Sequence, residues 1–201
     1  MPITNGYATL LQFTAQALPD VPTATITAQT DQIERAIQAA SRLIDLHCDR
    51  HFWKTAAGVV RYFTPYAANR CIIDDLVSTT EIATDTDRAG TWVTLLTANV
   101  DYWLSPQSAN GEPYTEIEIT PFAVNGFYAE RPRYVKVTGL WGWAAVPDVV
   151  REACLIQAFR LYKRAGAPFG VIGGGEFGTA TAIPGLDPDV RTMLAPLVRW
   201  K

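Results

Sequence analysis

The hydrophobic period of this chain switches twice. Residues 31–51 repeat at helical spacing, residues 55–140 break into short alternating runs, and the helical period returns after Trp143. In the first segment Ile33, Ile37, Ala40, Ile44 and Cys48 form an apolar stripe, widened by Ala36, Leu43 and His47. Arg35, Arg42, Asp45, Asp49 and Arg50 fall largely off it. Asp31 and Glu34 have capping-box spacing, with Asp in place of Ser or Thr. The spacing predicts one amphipathic helix of about five to six turns. Upstream, YATLLQFTAQAL (7–18) predicts a short helix with Thr9 as N-cap, ended by Pro19 and Pro22.

The middle of the chain is rich in β-branched and aromatic residues. Strand-like runs occupy 58–64, 71–76, 79–84, 91–96, 101–104, 114–120 and 133–141. Turn-forming residues separate them: Asn69, the 85–90 segment, Asn110-Gly111 and Asn125-Gly126. Tyr134 to Thr138 alternate apolar and polar, as in a sheet with one wet face. The expectation is a compact antiparallel region of roughly five to seven strands.

Beyond Trp143, Pro147 suits a first helical turn and Asp148 a helix N-terminus. Val150, Cys154, Gln157, Ala158 and Leu161 follow the helical period, Gly166 caps and Pro168 stops it. A glycine-rich link follows, then a short helix from Asp187, with Pro188 at its first position. The fold class is therefore α+β. It is a small helical bundle of two long helices plus short terminal ones, with a central antiparallel β-rich insertion. Its parts are 1–54 (helical core), 55–140 (β-rich insertion), 141–166 (second long helix) and 167–201 (flexible link and C-terminal docking helix).

Charge is unevenly spread. The first 150 residues carry 10 Lys/Arg against 16 Asp/Glu, while residues 151–201 carry 7 against 4. A basic tail can meet an acidic partner, but such a surface is more simply solvated. No run has the apolar length to span a bilayer, and the start lacks the pattern of a signal peptide. Three scattered cysteines, Cys48, Cys71 and Cys154, point to a reducing compartment.

Candidate chemistry is thin. His47 and His51 have the i, i+4 spacing of a zinc helix, but Cys48 stands where the catalytic Glu belongs and no third ligand is evident. Asp85, Asp87 and Gly90 open like a calcium loop, yet Ala89 and Leu96 occupy two liganding positions. Gly173, Gly175 and Gly178 match G-x-G-x-x-G without a strand–turn–helix context. Asp74 and Asp75 are adjacent in a strand and point to opposite faces. No catalytic constellation, cofactor site or metal site is predicted.

Three stretches together carry a resemblance. AIQAASRLIDLHCDRHF (36–52) ends a helix in Cys-x-Arg-x-Phe. YVKVTGLWGWAAVPDVVREACLIQAFRLYKR (134–164) leads a strand through Val-Pro into a helix. LDPDVRTMLAPLVR (186–199) closes the chain. In this order they resemble the head–tail connector, or adaptor, proteins of long-tailed bacteriophages and gene transfer agents. The resemblance implies a virion protein, made in the host bacterial cytoplasm, that forms a ring of about twelve copies beneath the portal protein. It would extend the DNA channel, let double-stranded DNA pass without sequence-specific binding, and receive a stopper or tail-completion protein. It needs no cofactor, chemistry or membrane. It also maps portal binding onto Val190, Leu194, Leu197, Val198, Arg199 and Trp200, so that truncation after Gly178 removes portal binding and leaves the monomer folded. A β-rich carbohydrate- or receptor-binding virion module is the alternative, favoured if the tryptophans are exposed and bind glycans.

VTGLWGWAAVPDVV (137–150) is the expected structural joint, made of Gly139, Trp141, Gly142, Trp143 and Pro147. The glycines allow a sharp turn. At least one tryptophan is expected to be wedged between sheet and helices.

Overall fold

The computed structural model describes residues 3–107, 111–165 and 185–199. The chain divides into two compact units: residues 1–52 with 146–201, and residues 53–145.

The first unit is helical. Helix α1 (Leu10–Ala17) opens with a complete capping box. Thr9 Oγ1 accepts from Gln12 N–H at 3.2 Å, and Gln12 Oε1 accepts from Thr9 N–H at 2.9 Å. Helix α2 (Thr23–Cys48) starts eight residues earlier than the apolar stripe implied. Pro22 stands at its N-cap and does not break it. The added turns are threonine-rich, and Thr27 and Thr30 tie their hydroxyls back to the Thr23 and Ile26 carbonyls. Asp31 and Glu34 are thus interior to the helix, and the capping box read there does not exist. Asp49, in left-handed conformation (φ 51°), ends α2.

Helix α3 (Asp148–Ala165) lies against α2, and α1 touches both. Ile33, Ile37, Ala40, Ile44 and Cys48 of α2 are buried, as are Val150, Ala153, Cys154 and Ala158 of α3. The Ser41 hydroxyl, buried in this core, is paired on both sides. Ser41 Oγ accepts from Tyr7 N–H and donates to the Ile37 carbonyl, at 3.1 and 2.8 Å. Helix α4 (Pro188–Leu194) packs on α3, followed by a 3₁₀ turn at Ala195–Leu197.

The second unit is one antiparallel sheet. Its strands are β1 (Val59–Phe63), β2 (Arg70–Thr84), β3 (Thr94–Leu95), β4 (Tyr102–Ser105), β5 (Tyr114–Ile119) and β6 (Val135–Trp141). The order is β1-β6-β2-β5-β4, with β3 on the far part of β2. Among the described residues nothing pairs β1 with β4, so the sheet stays open. Two of the expected runs, 71–76 and 79–84, are a single strand. Register shifts against β6 at Leu76/Ser78 and Thr79/Glu81 bulge it. The core face passes from odd positions (Cys71, Ile73) to even ones (Leu76, Ile82), and that switch falls at the irregularity against β5 between Ile72 and Leu76. These four pack with Tyr102, Ile117, Tyr134, Val135, Val137 and Trp141.

Candidate functional site

The expected joint sits at the end of β6. Trp141 is its last residue and is 1% exposed. Its indole N–H donates to the Val59 carbonyl at 2.8 Å, and the Arg61 guanidinium lies 4.6 Å over its ring. Its backbone is clamped by Thr55, whose hydroxyl accepts from Trp141 N–H (3.0 Å) and whose N–H donates to the Trp141 carbonyl (2.9 Å). Gly142 then turns at φ 104°. Its N–H donates to the Asp75 carbonyl at 2.7 Å. A Cβ there would lie 1.8 Å from the Trp53 carbonyl oxygen, so only glycine fits.

Gly139 is required for a different reason. It lies within β6, where a Cβ would meet Ser78 O at 2.4 Å and Leu76 Cδ1 at 2.8 Å, beside the bulge in β2. It gives close approach, not a turn. Trp143 is 5% exposed, and its indole N–H donates to Asp75 Oδ2 at 3.2 Å. The strand ends at Trp141, so the two tryptophans are not placed by strand alternation. Pro147, in the first unit, is not in the first helical turn. It precedes α3, and its carbonyl accepts from Val150 and Arg151 N–H at 3.1 and 3.0 Å.

Asp75 is a residue the sequence reading left without a role. Its carboxylate is buried and holds Trp143, while neighbouring Asp74 pairs with Arg61 at 2.7 Å. The opposite-face placement of the two aspartates was the available signal.

The C-terminal segment has two halves. Val190 and Leu194 are fully buried, so the apolar stripe read as a docking face already serves the fold of its own unit. Gln157 and Arg160 of α3 receive the incoming chain. Gln157 Oε1 accepts from Asp187 N–H at 3.0 Å, and Arg160 pairs with Asp187 at 3.3 Å. Leu197, Val198 and Arg199 are partly exposed. Arg199 N–H donates to the Cys48 carbonyl at 2.9 Å, satisfying an orphan acceptor at the end of α2. Trp200 and the glycines Gly173, Gly175 and Gly178 lie outside the described residues.

The other candidates resolve into local structure. His51 lies beyond the end of α2, so the i, i+4 helical geometry with His47 is not formed. Its Nδ1 is 3.4 Å from Asp45 Oδ2. Asp45 also accepts a very short bond from the Tyr7 hydroxyl and pairs with Arg42 Nε at 3.1 Å. Burial, then the Asp45 bond, pushes the Tyr7 phenol far above its usual range. Asp85 is spent on Gly90 N–H (3.1 Å) and Arg131 (3.0 Å), and Asp87 on Ala89 N–H (3.2 Å). Among the described residues no group of three or more His, Cys, Asp or Glu gathers as for a metal ion, and no helix is long and apolar enough to cross a membrane. The cysteines are buried and free, which pushes Cys71 up to about 12 and Cys48 and Cys154 up to about 11.

No protein-family model matches this chain, and no curated protein does. A solved structure does: a chain from the neck of an empty gene transfer agent particle, computed with sixfold symmetry. The two share 15% sequence identity at a TM-score of 0.59, over 100% of this chain and 94% of the other. At that identity the likeness is one of fold.

Proposed function

We propose that this chain is a structural subunit of the neck of a tailed phage or gene transfer agent particle. It acts there as an adaptor ring between portal and tail. The carrying observation is the end-to-end fold likeness to a neck chain, both units included. The stretches that resemble adaptors (36–52, 134–164 and 186–199) coincide with the α2 end, the β6–α3 passage and α4. The sixfold symmetry of that particle suits a ring of twelve.

Exposed apolar side chains support assembly. Phe122 and Val124, between β5 and β6, are 80% and 92% exposed, a state that burial against a neighbouring copy would relieve. The role is structural. The described carboxylates and histidine singled out above are engaged in caps, turns and ion pairs.

Portal docking belongs, in this reading, to the part of the C-terminal segment that remains accessible, Leu197 and Val198. Val190 and Leu194 hold α4 on α3. Truncation after Gly178 would uncover α3 and destabilise the first unit, so it does not test docking cleanly. The test is co-purification with a portal ring. Wild type is retained, Leu197→Asp with Val198→Asp is released, and both melt alike. Retention of the double variant would remove these residues from the interface.

A further inference from the structure

We propose that a groove beside β4 binds a neutral glycan. The groove follows from the strand plan. On one edge of β2, β5 pairs only as far as Leu76↔Tyr114, and β3 pairs again only from Ala83↔Leu95. Between those points no strand lies on that edge among the described residues. The space left is a cavity of about 620 Å³ beside Thr79. That size falls within the range of small-molecule sites, about 300–1,000 Å³.

Its lining selects a chemical class. Three aromatics, Tyr102, Trp103 and Tyr114, stand with three neutral polar residues, Thr79, Asn99 and Gln107. No Asp, Glu, Lys, Arg or His lines it among the described residues. A charged ligand would lose hydration there without a counter-charge. A wholly apolar ligand would leave the amide groups unpaired. A pyranose matches both demands, with an apolar C–H face for an aromatic ring and a rim of hydroxyls for amides.

The polar side is built in advance. Asn99 sits at φ 63° in a turn closed by three bonds. Asn99 N–H donates to the Tyr102 carbonyl (2.9 Å), Asp101 N–H to the Thr97 carbonyl (2.8 Å), and Thr97 N–H to Asp101 Oδ2 (2.8 Å). Asparagine tolerates that backbone, and the turn holds the Asn99 main chain beside the groove. Trp103 is partly exposed and is not among the buried core residues, so the core does not account for it.

The test is calorimetric titration of the full chain with cellotetraose and chitotetraose, two neutral oligosaccharides. The proposal expects saturable binding of at least one. Trp103→Ala should weaken it about tenfold or more. Asn99→Gly, which keeps the backbone conformation and deletes the amide, should weaken it comparably. Both variants should melt as wild type does. No heat from either sugar at millimolar concentration, or binding undiminished in both variants, would overturn the site. Tighter binding of an acidic oligosaccharide such as tetragalacturonate would overturn its neutrality. Portal co-purification of Trp103→Ala reads the neck role separately, because the titration needs no partner.

Discussion

Gly142→Ala puts the β6 exit to a direct test. At φ 104° an alanine costs about 1–2 kcal/mol in backbone strain alone. The added Cβ also lands 1.8 Å from the Trp53 carbonyl oxygen, which is backbone and has no rotamer to give. Relief requires parting the 53–55 segment from the end of β6. That endangers the two Thr55–Trp141 bonds and the Gly142–Asp75 bond, each worth about 0.5–1.5 kcal/mol. The expected destabilisation is about 4 kcal/mol. Gly90→Ala is the matched control. Gly90 also has positive φ (74°), but a Cβ added there would meet nothing within 4 Å, so strain alone acts, about 1–2 kcal/mol. Urea unfolding followed by tryptophan fluorescence measures both, fitted with separate transitions if the two units unfold separately. Equal losses for Gly142→Ala and Gly90→Ala would refute the close approach to Trp53.

Other outcomes follow from the same contacts. Trp143→Ala should cost about 3–5 kcal/mol, and Trp143→Phe, which keeps most of the volume but loses the bond to Asp75, about 1–3 kcal/mol; thermal melts rank them, and equal stability of Trp143→Ala would return Trp143 to a surface role. The three thiols should resist Ellman's reagent in the native state at pH 8 and react on unfolding. Burial lifts all three above the ordinary thiol value of 9.0, so the neutral thiol is the form the fold favours. Stability present below about pH 9 should therefore fall as pH rises toward 11–12, and a flat urea midpoint from pH 8 to 10.5 would contradict this. Tyr7→Phe should lose about 1–3 kcal/mol by removing the bonds to Asp45 and to Phe52 N–H (2.9 Å), read by circular dichroism melts.

The helix–sheet–helix order was legible because the period of apolar residues changes twice along the chain. What escaped had physical reasons. The first turns of α2 are threonine-rich and lack an apolar stripe, so periodicity did not mark them; they extend the segment that packs on α3, with Thr hydroxyls bonded back to the preceding turn. An irregularity against β5 between Ile72 and Leu76 reverses the alternation within β2, and two further shifts against β6 bulge it, so one strand reads as two. Gly139 looks like a hinge in one dimension; its need for no side chain comes from Ser78, far away in sequence. Val190 and Leu194 form an apolar stripe whether they meet a partner or α3, and only the fold decides that α3 already covers them. At the proposed glycan groove the aromatics were visible in the sequence, but not which tryptophan stays off the core, and Asn99, at positive φ, carries no glycine to mark its turn.

The ring role proposed above is open to electron microscopy of the purified protein mixed with a portal ring. The account predicts a second ring seated coaxially on the portal, lost in the Leu197→Asp, Val198→Asp variant. Bare portals beside free chains, with folded wild-type protein at saturating concentration, would contradict it.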